Sequence, residues 1–339
     1  MKLLDDQRFE LITGKFSDID NILVLGDVGI DYYIYGAVDR ISPEAPVPVL
    51  RVTKEEMKLG MAANICHNIY SLGGKSSLAS IVGDDKRGAS LKKLLEQQGV
   101  NLTNVVTSKD VTTISKERIL TKRQQICRVD YEMENPSFTD SNLSLLVGAF
   151  EKQLKKSQYI IFEDYSKGIF TPSTTQKFIS IANEHNKFSA VDPGRGKPAS
   201  LYKGATLLKP NLNEARELVH SLGYSTKNVA DMVKILLDKL DLQMLAITLG
   251  PEGMALIDKN VSDDVSIIPT VANEVFDVSG AGDTVIGTMI MSLSAGATLV
   301  EAGIISNIAA GVVVSKSGTA TVNLEELNEY YDYLKRKKI

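Results

Sequence analysis

Asn21-Ile-Leu-Val-Leu-Gly-Asp27 is a short apolar run closed by a glycine and a carboxylate. That is the profile of a strand buried on both faces which opens, at its carboxyl end, into a functional loop. Comparable runs recur at Ser77–Val82, Tyr159–Phe162, Phe188–Val191, Thr206–Leu208 and Met244–Thr248. Helical patterns lie between them, at Ala62–Leu72, Gly88–Gln98, Ser141–Lys155, Ser173–Glu184, Asn213–Leu222 and Asn228–Leu240. Strands alternating with helices of this length predict an α/β fold, a mostly parallel sheet covered on both faces. In such sheets ligands gather at the carboxyl ends of the strands.

Two stretches break the rhythm. From Asp31 to Val52 the chain is tyrosine-rich and punctuated by Pro43, Pro46 and Pro48. Proline is tolerated in extended and edge segments but not inside helices, so this stretch reads as an extended flap beside the main sheet. A second β-rich excursion covers Val111–Tyr131, and the two segments, 31–52 and 111–131, are expected to form one small β-lid. No repeat or linker divides the chain, so residues 1–339 read as a single domain. The apolar run Thr284–Val300 is short for a membrane span and reads as one buried core helix.

With 339 residues and 43% hydrophobic content, the chain can bury a large core. A formal charge of −4, with both signs intermixed, gives no basic stripe for nucleic acid. Two distant cysteines and three histidines supply neither a disulfide framework nor a zinc site. The N-terminus turns acidic before any apolar run, so no secretory signal is expected and the cytoplasm is the expected compartment.

The densest chemistry lies in Asp277-Val-Ser-Gly-Ala-Gly-Asp283. Small residues leave backbone N–H groups uncovered where a helix starts, which suits an anion. A carboxylate there would repel a phosphate, but it suits removal of a proton from an attacking hydroxyl. The same turn also reads as a plain helix start with Asp283 as a cap. Four further loops follow strand ends. Gly26–Asp31 sets Asp27 and Asp31 in one loop, where they suit a polyol or simply solvent. Gly60-Met-Ala-Ala-Asn64 is a run of small residues entering a helix, open to a ligand or to helix packing. Lys209-Pro-Asn-Leu-Asn-Glu214 reads as an Asn-capped helix start, or as a turn aiming Asn211 and Glu214 at phosphates and the water shell of Mg²⁺. Thr248-Leu-Gly-Pro-Glu-Gly253 can pass over a nucleotide. Gly74-Lys75-Ser76 is not the tail of a P-loop, because Ile69 stands where its first glycine belongs. No G-x-G-x-x-G follows the first strand either, which weakens a dehydrogenase reading.

Over nearly its whole length the sequence resembles the ribokinase-like (PfkB-type) carbohydrate kinases, with Asp277–Asp283 matching their C-terminal signature and Gly60–Asn64 their N-terminal one. Within that family it is most similar to the heptose 7-phosphate kinases of ADP-heptose synthesis. That likeness rests on Gly26-Asp27 with Asp31, Arg40–Val49, Gln124-Gln125 with Arg128 and Asp130, Asp164-Tyr165 with Lys167-Gly168, Gly204–Leu208 with Pro210–Leu212, and Val275–Gly287.

The resemblance implies a three-layer α/β/α sandwich with a small β-lid, and ATP-dependent phosphorylation of D-glycero-β-D-manno-heptose 7-phosphate at its anomeric hydroxyl. Asp283 matches the family's catalytic base and Gly280, Ala281 and Gly282 its anion hole, while Asp31, Gly60 and Asn64 match sugar-binding positions. Asn211, Leu212, Asn213 and Glu214 match the nucleotide and magnesium motif, Thr248, Gly250 and Gly253 the nucleotide loop, and Asn307 with Gly311 the adenine-side helix. Asp277 and Ser279 match positions that hold a monovalent cation in some members, so potassium is a further expectation. Lys167, Arg118, Arg123 and Arg128 are candidates to cradle the substrate phosphate. Flaps of this kind pair between subunits, which implies a homodimer. Met61 stands where a second glycine is usual, and Ser279 replaces a commoner threonine. No H-x-G-H occurs, so the nucleotidyltransferase step is expected from a separate protein. Another sugar or nucleoside kinase of the same fold, or a non-catalytic sensor, are the alternatives.

Overall fold

The computed structural model describes residues 3–122, 124–133 and 138–337. In chain order the elements are α1 (Asp6–Thr13), β1 (Ile22–Gly26), β2 (Val28–Ile41), β3 (Pro48–Met61), α2 (Ala62–Ser71), β4 (Ser76–Gly83), α3 (Lys86–Gln97), β5 (Asn101–Ser108), β6 (Ile114–Leu120) and β7 (Gln125–Tyr131). They continue with α4 (Asp140–Leu154), β8 (Tyr159–Glu163), α5 (Pro172–Glu184), β9 (Phe188–Asp192), β10 (Leu207–Leu208), α6 (Leu212–Ser221), α7 (Val229–Leu240) and β11 (Met244–Thr248). The last are β12 (Met254–Asp258), β13 (Ser266–Ile268), α8 (Ala281–Ser294), α9 (Leu299–Val313) and α10 (Leu324–Lys337).

The main sheet has nine strands in the order β13-β12-β11-β10-β9-β8-β1-β4-β5, parallel except at the β12 and β13 edge. Its strands read as unbroken apolar runs because alternate residues feed two cores. Ile22 and Val24 join the cluster with α2, α3, α8 and α9, whereas Leu23 and Leu25 join the one with α4 to α7. The strand order turns back between β1 and β8, so the crevice beyond Gly26 and Glu163 is where a ligand belongs in such a sheet.

A second, four-stranded sheet, β3-β2-β6-β7, stands beside this crevice as the β-lid. Its strands run longer than the flap text suggests: β2 starts at Val28 and β3 continues to Met61. Gly60 and Met61 are therefore the last residues of a strand, and α2 begins at Ala62. Met61 has φ +61°, a conformation that favours glycine, which gives a physical reason for a glycine at this position.

The run Thr284–Val300 is two helices and not one. Its chain turns at Gly296, whose φ is +88°, and α9 restarts with Thr298 as N-cap in a capping box with Glu301. No helix among the described residues is long and apolar enough to cross a membrane. Cys66 is buried, Cys127 is exposed, and both are free thiols.

Candidate active site

Helix α8 begins beneath the lid. Gly280 precedes it at φ +79°, and a Cβ there would lie 2.7 Å from Asn64 Nδ2, so both backbone and space call for glycine. No side chain caps α8, which leaves the amides of its first turn without a side-chain partner beside Asp283. Asp283 is 3% exposed; its Oδ2 accepts from Asn64 Nδ2 at 2.7 Å and its Oδ1 from the Tyr165 hydroxyl at 3.0 Å. Burial pushes its carboxyl up to about 7; Asn64 and Tyr165 pull the other way, as does Lys209, and the carboxylate of Asp192 adds to the rise. Packing of α2 on α8 fixes this geometry: Thr284 Oγ1 donates to Asn68 Oδ1, and Asn68 Nδ2 donates to the carbonyl of Asn64.

Below Asp283, three neighbouring strands end in one row. Glu163 faces Asp192 in register, and Lys209 is the residue after β10 beside Asp192. Lys209 Nζ meets Asp192 Oδ2 at 2.7 Å, and a Cβ on Gly282 would lie 3.7 Å from that same nitrogen. The Lys209 ammonium therefore sits against the amide turn that opens α8. Burial disfavours its charge, yet the Asp192 partner outweighs that and holds its pKa above the ordinary value. Glu163 is buried with Oε2 lacking any hydrogen bond, and burial, reinforced by Asp192 and Asp283, raises its carboxyl well above the usual range. Sequence reading assigned no role to Lys209, Asp192 or Glu163. The signal was there in part, since each is a charged residue closing an apolar strand.

A cleft of about 190 Å³ runs from Asp283 under the lid, lined by Asp31, Gly60, Met61, Lys116, Arg118, Tyr165, Ser279, Gly280 and Thr319 among others. Asp31 Oδ1 accepts from Arg118 at 2.5 Å and its Oδ2 from Thr319 Oγ1 at 2.8 Å. Asp27 is turned elsewhere: its two oxygens accept the backbone N–H groups of Tyr165, Lys167 and Ile169, and it does not line this cleft. Burial pushes Asp27 up to about 7 against those hydrogen bonds. Lys167 pairs with Glu132 at 2.7 Å and Arg128 with Asp130 at 2.7 Å, and neither reaches the cleft. Arg123 lies outside the described residues.

The other strand-end loops line up beyond Lys209. Asn211 caps α6 in a reciprocal box with Glu214, whose Oε2 accepts the Asn211 N–H at 2.8 Å, so the cap reading of this loop holds. Leu212 and Asn213 form the first turn of α6, and Asn211 bridges to Thr248. Past Thr248, Gly250 has φ +61°, and Gly253, at φ +97°, lies so close to the Ile268 carbonyl that a Cβ would sit 1.9 Å from it. Asn307 Nδ2 donates to the carbonyl of Pro269 at 2.8 Å, which ties α9 to the same place. Gly311 packs against the Tyr330 ring. Asp277, at the start of the signature, accepts from the N–H groups of Ser279 and Gly318; these bonds, with Arg118 nearby, overcome its partial burial and leave its carboxyl below the usual range.

A buried carboxyl at a helix start with no side-chain cap, a buried ammonium behind it, and a lid in front form a constellation suited to phosphoryl transfer onto an alcohol. The model of the pfkB family carbohydrate kinases matches residues 20–327. The chain belongs to that family. It is thus an ATP-dependent carbohydrate kinase of the pfkB family. The bifunctional protein HldE of Aliarcobacter butzleri is 41% identical to this pfkB kinase over 310 residues, covering 91% of the chain and 64% of that protein. The HldE protein of Helicobacter pylori is 40% identical over 306 residues, 90% of the chain and 65% of that protein. The chain therefore spans somewhat less than two thirds of the length of these relatives. Phosphofructokinase-2 from Escherichia coli in complex with potassium has the same fold, with TM-score 0.75 at 20% identity over 94% of this chain and all of that one (100%). Ribokinase of Arabidopsis thaliana complexed with ribose and ATP superimposes with TM-score 0.69 at 16% identity, covering 92% of this chain and 99% of that one.

Proposed function

We propose that the chain transfers the γ-phosphate of ATP to the anomeric hydroxyl of D-glycero-β-D-manno-heptose 7-phosphate, giving the 1,7-bisphosphate, a step toward ADP-heptose and lipopolysaccharide core precursors. The observation that carries the transfer is Asp283: a buried carboxyl with its pKa near 7, oriented by Asn64 and Tyr165 and placed between the lid cleft and the opening amides of α8. The heptose reading is supported by the flap text Arg40–Val49 and by the 40% identity to HldE proteins. In the step itself the hydroxyl proton passes to Asp283, the hydroxyl oxygen bonds to the γ-phosphorus, and the bond to the ADP oxygen breaks. The amides of Gly280 to Asp283 and the Lys209 ammonium face the charge that develops on the transferring group.

Asp31, Gly60 and Asn64 would contact the sugar, and Asp27 would act indirectly by holding the 165–169 loop. Asn211, Glu214, Thr248–Gly253, Asn307 and Gly311 would flank the nucleotide. Magnesium, when bound, would supply charge neutralisation at the nucleotide phosphates. Glu214 fits it, with one oxygen outside the cap and Asp192 near enough to act on it electrostatically; no cluster of three acidic or imidazole side chains placed to hold a metal ion lies among the described residues. Such sparse carboxylate contact suits Mg²⁺, which keeps most of its waters. A potassium ion would be held by Asp277, kept anionic by its backbone donors, with Ser279. The exposed Ile41, Val47 and Val52 at the far end of the β2–β3 hairpin support a homodimer through the lid.

A panel measuring ADP release tests the reading. Turnover with heptose 7-phosphate should exceed that with ribose, fructose 6-phosphate or adenosine by at least about 10²-fold in kcat/KM. Equal or faster turnover of any of those three overturns it.

A further inference from the structure

The lid presents several cations, but most are already engaged. Arg118 is paired with Asp31, Arg128 with Asp130 and Lys167 with Glu132. Lys58 donates to the carbonyl of Ser317 and lies over the Tyr33 ring. Lys116 differs. It stands on β6 opposite Asp31 in parallel register, so both side chains rise from the same face of the lid, and it lines the cleft that holds Asp283. Among the described residues it makes no hydrogen bond and no ion pair; its nitrogen rests 5.9 Å from the centre of the Tyr165 ring. The hydroxyl of that same tyrosine donates to Asp283. One aromatic side chain therefore has the base at its hydroxyl and an unspent ammonium over its face.

Charge in the cleft points the same way. Asp31 and Arg118 neutralise each other, and Asp283 is committed at the other end, which leaves Lys116 as the cleft cation available to an incoming dianion. An ammonium without a partner, half shielded from water by its surroundings, binds a phosphate with little to give up. We propose that Lys116 binds the remote phosphate of the acceptor and is the residue by which this kinase selects phosphorylated over unphosphorylated sugars. The inference rests on the reading of the acceptor as a sugar phosphate and deepens it. It moves the phosphate contact away from Lys167 and Arg128, whose ion pairs lie outside the cleft.

The test compares kcat/KM for heptose 7-phosphate with that for the unphosphorylated heptose in the wild type, Lys116→Met and Lys116→Arg. Losing one charge-assisted contact should lower this ratio about 10- to 150-fold in Lys116→Met, mainly through the KM of the phosphorylated sugar, and Lys116→Arg should recover most of it. Inorganic phosphate, as a competitor of the acceptor, should weaken by a similar factor in Lys116→Met. A Lys116→Met enzyme that keeps the wild-type ratio and the wild-type inhibition by phosphate overturns the assignment. A wild type that shows no preference for the phosphorylated sugar instead sinks the acceptor reading itself, so the two failures are told apart.

Discussion

The end of the main sheet and the lid are both rich in charge, but they hold it differently. Where the strand ends meet the start of α8, Glu163, Lys209 and Asp283 are buried and Asp192 is largely so; burial raises the proton affinity of the three carboxyls, and the Asp192 partner raises that of Lys209 against its burial. On the lid Arg51, Lys54 and Arg128 sit in ion pairs open to solvent. Charges of the first kind interact strongly because water is excluded, whereas exposed pairs contribute at most about 1 kcal/mol each. The contrast divides the labour. On the proposed reading, the core end carries the phosphoryl chemistry and the lid end chooses the acceptor.

Breaking the core end should give the largest effects. Asp283→Asn keeps the size of the side chain but removes the proposed base, and kcat should fall by roughly 10² to 10⁴ with nucleotide binding retained, measured by steady-state kinetics and by ATP titration. Lys209→Met leaves Asp192 without its buried partner and should cost about 3–5 kcal/mol of stability, read from urea unfolding.

A smaller and subtler effect concerns pH. Asp27 and Asp283 are both pushed up to about 7 in the folded chain, against an ordinary value of 3.8. The folded state then binds these protons more tightly than the unfolded state. Their contribution is fully present below about pH 4 and is lost as pH rises toward 7. Melting temperature should accordingly drop between pH 5 and 8, and drop less in Asp283→Asn and in Asp27→Asn. An equal drop in all three proteins would remove these carboxyls from the account. The smallest effect belongs to the lid: Arg128→Ala breaks an exposed pair and should change stability by less than about 0.5 kcal/mol.

Much of the core end was legible in the sequence. Gly280 to Asp283 announces a helix start, though not with Asp283 as its cap, since Gly280 holds that position and no side chain caps α8; Asn211-Leu-Asn-Glu214 announces a capping box, and both are local patterns written in a few adjacent residues. Glu163, Asp192 and Lys209 were visible one by one as charged residues closing apolar runs, but their row was not, since it exists only through the register of three strands far apart in the chain. Asp27 looked like half of a carboxylate pair open to sugar. Its actual partners are backbone N–H groups of the 165–169 loop, and backbone donors leave no trace in residue identity. The break at Gly296 was readable after all: Thr298-Leu-Val-Glu301 is a capping-box sequence inside an apolar run that hydropathy alone joins into one helix. On the lid, spacing located the strands but could not say which of its cations were already paired, and that is what singles out Lys116.

The division of labour is tested most directly by the acceptor preference of Asp283→Asn, measured as kcat/KM for heptose 7-phosphate over that for unphosphorylated heptose. The account predicts that both rates fall by roughly 10² or more while their ratio stays within about 3-fold of wild type. Near-normal rates, or a ratio that collapses with the base, would contradict it.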